Sequence, residues 1–346
     1  MNGKILRIDP NTGYGIPSNP YYDASAPASA KSLVWCLGLR NPYTISIKPG
    51  SGSTNPADGK PGVIYIGNVG WAKWESLFIC DKPKLNFGWP LFEGLDYNAN
   101  YKAALTANPF APNPLFGSGG CTQQYFNFNE LLIQETLDTA NLFANPCDTT
   151  QKIPDSIYRF MHCRQMLDYR HHYDSVMVAV FNGTEAARIM IDDPASPCKG
   201  LQFDGDCVIA GDYYNSTAYP NGYRNQIYFG EYEDGWIRRL KTSADNKLKN
   251  VYTFADGLGF LTHVGLNPNT GDIVYVSYPD RIGKICYACE ADKPPVAVIT
   301  ADTTSGFDTL TVHFSALNSY DPDHSDRKST RLNSSHVSES RMPSSA

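Results

Sequence analysis

Arg40 and Asn41 are the residues of this chain best placed for chemistry. They sit in Gly38-Leu39-Arg40-Asn41-Pro42, where glycine and proline fix a turn around them. A guanidinium held in such a turn can stabilise negative charge on an oxygen. Its structural use would be to brace backbone carbonyls. Two more short motifs follow, Gly67-Asn68-Val69-Gly70 and Asn86-Phe87-Gly88-Trp89-Pro90. The last supplies a turn and an aromatic plug, and we assign it to architecture. Trp71, Trp74 and Glu75 fit plain packing. Arg170-His171-His172-Tyr173-Asp174 invites a metal. Neighbours on a strand face opposite ways, so a structural role for these histidines outweighs ligation of one ion. Cys198 and Cys207 flank a segment that could fold back as a bridged hairpin, and Cys286-x-x-Cys289 stands too isolated for zinc.

The elements that must hold these residues are short strands. Of 346 residues, 42% are hydrophobic and only 18% charged, which marks a globular chain. The 22 Tyr, 16 Phe, 28 Gly and 24 Pro favour strands and turns over helices. Val63–Gly67, Ser175–Phe181, Gln226–Gly230, Trp236–Leu240 and Ile273–Tyr278 read as strands, and Gly3–Pro10 as the outer strand of a sheet unit. Residues 97–152 read as a long inserted loop with a short helix near Glu130–Ala140. No apolar run reaches a membrane span. With a net charge of −6 and no basic cluster before the C-terminal tail, nucleic acid is excluded as a partner. Nine cysteines and the sequons at Asn182 and Asn215 favour an oxidising, extracellular setting. The chain shows no signal peptide: either the protein is cytosolic or its true start lies upstream, and we prefer the second.

In their order and spacing, the three motifs resemble the β-propeller of the glucose/sorbosone dehydrogenase family, the soluble PQQ-dependent sugar dehydrogenases. Ile209–Tyr214, Tyr223–Tyr232 and Gly235–Leu240 are similar to that family's penultimate blade, and Gly265–Tyr287 to its last. The resemblance implies an all-β, six-bladed propeller over residues 1–289, with roughly four blades present and the N-terminal ones missing. Its open ring would leave two unpaired edges. Residues 290–325 resemble the opening of a PKD domain, an immunoglobulin-like sandwich. Residues 326–346 resemble a translated sequencing adapter, an artefactual tail; the alternative is a natural Ser-rich one.

The resemblance further implies hydride transfer from a sugar or other polyol hydroxyl to PQQ, with calcium assistance. Arg40 would be catalytic, Arg40 and Asn41 would hold PQQ, and the backbone carbonyls of Gly70 and Trp71 would hold calcium. The family's general-base histidine belongs to an earlier blade, and His263 does not inherit that role. Two regions depart from the family's cationic anchors: Tyr232-Glu233-Asp234-Gly235 and Phe260-Leu261-Thr262-His263. On a strand at most one of Arg238 and Arg239 could point inward to replace them. These departures keep open a second reading, a non-catalytic secreted propeller that binds carbohydrate or protein.

Overall fold

Strand β4 (Ile64–Val69) shows how the molecule is layered. Ile64 and Ile66 enter a buried cluster with Ile5, Trp35, Cys36 and Phe87. Tyr65, between them, enters a second cluster with Leu77, Tyr169, Val208 and Phe229. Alternate residues of one strand thus reach two cores, so its sheet is covered on both faces. Each such side chain contributes roughly 1.5–3 kcal/mol by leaving water.

The computed structural model describes residues 3–140, 142–287, 294, 296–306 and 311–320. The chain divides into units 1–287 and 288–346. The first is all-β. Strands β1 (Lys4–Leu6) and β2 (Val34–Leu37) pair as a ribbon. A six-stranded sheet runs β8-β7-β6-β5-β4-β3. Its other strands are β3 (Asn41–Ile47), β5 (Trp74–Cys80), β6 (Leu167–Arg170), β7 (Tyr173–Asn182) and β8 (Glu185–Met190). A four-stranded sheet follows: β9 (Val208–Tyr214), β10 (Gln226–Glu231), β11 (Ile237–Thr242) and β12 (Leu248–Ala255). The last sheet holds β13 (Phe260–Leu266), β14 (Ile273–Tyr278) and β15 (Arg281–Ile285).

The four-stranded sheet lies between the other two. Ile227 and Phe229 of β10 face the six-stranded sheet, and Tyr228 between them faces Val264 and Ile273. Strand β9 packs on β3 and β4 at one side and on β13 at the other. A Cβ at Gly67 would come within 2.7 Å of the Ala210 nitrogen, so only glycine lets β4 and β9 approach this closely. At the edge of its sheet, β3 leaves Tyr43, Ile45 and Ile47 exposed.

Two expectations need correction. The helix near Glu130–Ala140 is instead a single turn, Phe128–Leu131, started by Asn127 N–H donating to Glu130 Oε2 (2.8 Å). It stops because Leu131 and Leu132 enter different clusters, which an extended backbone achieves and a helix does not. Leu132–Ile133 then pairs in parallel with Phe160–Met161. Cys198 and Cys207 are both free. Lys199 bridges Asn250 on β12, whereas Cys207 leads into β9 at the opposite edge of the sheet. Three strand spacings, about 14 Å, separate these edges, and a disulfide needs its Cα atoms within about 7 Å. A disulfide does form at Cys121–Cys147, where it closes the inserted region.

In the second unit, Thr300–Ala301 pairs antiparallel with Phe314–Ser315, and Val296 bridges Tyr320. Cys289 and the tail 326–346 lie outside the described residues. No helix among the described residues is long and apolar enough to cross a membrane.

Candidate functional site

The three glycine-asparagine motifs meet at one place. Asn68 Oδ1 accepts from the backbone N–H groups of both Arg40 (3.0 Å) and Asn41 (3.1 Å). Gly38 has φ +81°, and a Cβ there would lie 2.0 Å from Asn86 Oδ1. Trp89 N–H donates to the Gly38 carbonyl (2.8 Å), and Asn86 Oδ1 accepts from Gly88 N–H (3.0 Å). Asn68 therefore fixes the Arg40 backbone from one side and the Asn86–Trp89 turn fixes it from the other. The half-buried guanidinium donates through Nη1 to the Val69 carbonyl (3.2 Å) and lies 5.9 Å from the Trp89 ring centroid. The Asn41 side chain is exposed.

Arg40 lines a cavity of about 600 Å³ together with Lys4, Trp89, Tyr101, Asn108 and Asn129. Among the described residues no Asp or Glu lines it. Trp71, Trp89 and Tyr101 form an aromatic group with centroids 5.6, 6.1 and 6.4 Å apart. Trp71, 49% exposed, thus belongs to this group and not to the core packing read from the sequence. Sequence reasoning missed Lys4, Tyr101 and Asn108, because nothing in a distant loop announces which turn it will cover.

The other side of the Val69–Gly70 peptide is acidic. Gly70 N–H donates to Glu75 Oε1 (2.8 Å), which also meets His171 Nε2 (2.8 Å), and Val208 N–H donates to Glu75 Oε2 (2.8 Å). Glu75 is fully buried. Burial pushes its carboxyl up, while His171 and the N–H groups of Val208 and Gly70 pull it back only in part. Burial alone would lower His171, yet the hydrogen bond and charge of Glu75 raise it on balance. Asp206 stands 3.6 Å from His171 Nδ1 and 3.1 Å from His172 Nδ1. Both histidines therefore face one carboxylate, which corrects the expectation of opposite faces. His172 has φ +58° in the turn after β6, and that breaks the strand alternation.

Further acids surround this mouth. Buried Glu231 accepts N–H bonds from Asp206, Cys207 and Asp234. Burial raises Asp204, reinforced by Asp174, and raises Asp234, reinforced by Asp204 and Asp206. Arg238 and Arg239 point apart, as alternation requires, and neither reaches the mouth. Arg238 pairs with Asp256 (2.7 Å), while Arg239 donates to Gly222 and Gln226 between the Tyr223 and Tyr252 rings. Thr262 bonds the Val276 carbonyl, and His263 is exposed.

Loop 70–74 is wrapped on Glu93, whose Oε1 accepts from Trp71, Ala72, Lys73 and Trp74 N–H at 2.9, 2.8, 2.8 and 3.3 Å. Burial would raise Glu93, but these four donors hold it below the usual carboxylate range. Among the described residues no group of His, Cys, Asp and Glu could hold a metal.

Tested against a planar quinone bearing carboxylates, the two sides differ. The Arg40 cavity fits it by donor set, with the Arg40 guanidinium, an aromatic wall and, among the described residues, no carboxylate. The mouth at Asp204, Asp206, Glu233 and Asp234 does not fit it.

No family model and no curated protein matches this chain. Among solved structures, it is similar to the PQQ-bound aldose sugar dehydrogenase from Streptomyces coelicolor at 15% identity and a TM-score of 0.34, covering 80% of this chain and 46% of that one. A glucose dehydrogenase is similar at 14% identity and a TM-score of 0.42, with 83% and 54% covered. The apo-form soluble aldose sugar dehydrogenase from Escherichia coli is similar at 15% identity and a TM-score of 0.34, with 79% and 50% covered. The chain spans about half the length of these structures. At such TM-scores the likeness carries no functional weight, and the site is read from its own residues.

Proposed function

We propose that the chain is part of a secreted, glycosylated β-propeller of the glucose/sorbosone dehydrogenase type that oxidises a sugar or polyol with PQQ, followed by a PKD domain. The observation that supports this is the Arg40 cavity: a guanidinium on a backbone fixed by Asn68, beside an aromatic wall, with no carboxylate among the described residues that line it. When bound, PQQ supplies the hydride acceptor. Arg40 would hold its acidic groups, and its charge would favour electron density on an oxygen beside it; Asn41, expected to join it, has an exposed side chain and is not among the residues lining the cavity. Trp89 and Tyr101 give the ring a face and exclude water. Calcium is assigned to the carbonyls of Gly70 and Trp71, in the loop whose N–H groups are turned onto Glu93. Titrating PQQ with calcium into the full chain should quench tryptophan fluorescence, and Arg40→Ala should weaken uptake at least tenfold. No quenching at high micromolar PQQ would sink the reading.

A second reading, a non-catalytic propeller that binds carbohydrate or protein, is favoured by the acidic mouth, where burial and neighbouring acids raise both Asp204 and Asp234. If it holds, a sugar panel gives binding without dye reduction, and Arg40→Ala leaves PQQ uptake at its background level.

A further inference from the structure

Among the described residues five cysteines are free: Cys36, Cys80, Cys163, Cys198 and Cys207. The last two stand at opposite edges of one sheet, but the first three converge. Cys36 on β2 and Cys80 at the end of β5 are fully buried in one cluster, and Cys163 packs against it. The Cys36 and Cys80 thiols are in hydrogen-bonding contact. The backbone draws the third thiol in: Leu37 bridges Asn86, Asn86 bridges His162, and Cys163 N–H donates to the Asn86 carbonyl (2.7 Å). A thiol is a weak donor and a weak acceptor, so a buried thiol pair gains little from its own contact. The same chain already carries oxidised cysteines at Cys121–Cys147 and at Cys286.

We propose that Cys36 and Cys80 are joined by a disulfide in the mature protein, with Cys163 left as a thiol beside the bond. The covalent loop so closed contains Arg40 and its backbone acceptor Asn68, together with Gly70 and the Glu75 carboxylate that accepts from it. It also ties the β1–β2 ribbon to the six-stranded sheet. The bond would therefore hold both sides of the Val69–Gly70 peptide in place.

The step balances with a small-molecule disulfide, such as oxidised glutathione, as oxidant. The Cys80 thiolate attacks that disulfide and releases one glutathione thiolate. The Cys36 thiolate then attacks the Cys80 sulfur of the mixed disulfide and releases the second. Two cysteine thiols lose two electrons and two protons, and the oxidant becomes two thiols. The hydrogen bond with Cys80 and then burial push the Cys36 thiol far up, and burial pushes Cys163 to about 12, so attack is slow once the cluster has closed. The bond belongs to folding.

The test is a non-reducing peptide map of the full chain refolded in a glutathione redox buffer, alkylated in denaturant. The expected result is a linked Cys36–Cys80 peptide with Cys163 alkylated, the link surviving in Cys163→Ser and absent in Cys80→Ser. Alkylation of both Cys36 and Cys80 in a sample where Cys121–Cys147 is linked overturns the proposal, as does a Cys80–Cys163 link in its place. The map of the unsubstituted chain decides even if the variants misfold. It uses no ligand, so its outcome is independent of the proposed function.

Discussion

Arg40 and Glu75 approach opposite ends of one peptide unit, and their surroundings could hardly differ more. The Val69 carbonyl accepts from Arg40, and the Gly70 N–H donates to Glu75. A trans peptide points these two groups in opposite directions, so the side carrying the oxygen gathers a cation and the side carrying the hydrogen gathers a carboxylate. On the first side lie Lys4, Trp89 and amides. On the second lie His171, Asp206 and the acids around Glu231. The two environments are thus separated by a single loop. Acidic residues at 233 and 234 therefore say little about what the Arg40 side can bind.

The largest effect should come from breaking the acidic side. Glu75→Ala leaves the Gly70 and Val208 N–H groups and His171 without their shared acceptor. Removing one partner of a buried ionic network typically costs about 3–5 kcal/mol. Urea unfolding should show that loss, and PQQ affinity should fall with it because the shared peptide moves. A loss below about 1 kcal/mol would mean that the loop holds its shape without Glu75.

Asn68→Ala attacks the other side. Two backbone N–H groups lose one acceptor, at roughly 1 kcal/mol each, so we expect about 2 kcal/mol and a marked drop in ligand affinity. Unchanged affinity would show that the Asn86–Trp89 turn positions Arg40 unaided.

The sequence made some of this legible and hid the rest. Strands such as β14 could be read because Ile273–Tyr278 is β-branched and aromatic between turns. The motifs were visible because glycine, asparagine and proline punctuate turns. Their convergence was not, since Asn68 acts across 27 and 28 positions and no local pattern encodes a long-range acceptor. The shared carboxylate of His171 and His172 was hidden by one positive φ in a stretch that reads as strand. Glu75 looked like packing because it sits among aromatics, and it is indeed buried. What the sequence could not supply was the set of donors that make its burial tolerable.

A second buried acid sharpens the comparison. Asp168 lies one register step from the Glu75 pairing, opposite Ser76 on β5. It has Ser76 (2.6 Å) and Gln165 as hydrogen-bond donors, and burial pushes it up to about 8. From its unperturbed 3.8 to about 8, the folded chain keeps a proton that the unfolded chain has lost. This group's contribution to stability therefore falls as pH rises through that window and levels off above it. Asp168→Asn should flatten the dependence, gaining roughly 3–4 kcal/mol over the parent between pH 5 and 8. Parallel melting curves for the two proteins would mean that Asp168 stays ionised throughout.

The smallest stability effect should belong to Arg40 itself. Its guanidinium is half-buried, its contact with Val69 is long at 3.2 Å, and its stacking on Trp89 is loose at 5.9 Å. Arg40→Lys keeps the charge but loses the planar fork, and we expect less than about 1 kcal/mol of unfolding free energy to be lost. Binding of a carboxylate-bearing ligand should weaken about tenfold, because a two-point contact becomes a single charge. The ratio of the two effects is what matters. If stability falls as far as in Asn68→Ala while affinity holds, Arg40 is a brace for the Val69 carbonyl. The cavity then has no side chain committed to its ligand. If affinity falls and stability holds, the guanidinium faces its ligand, and the peptide between Arg40 and Glu75 divides a binding side from a structural one.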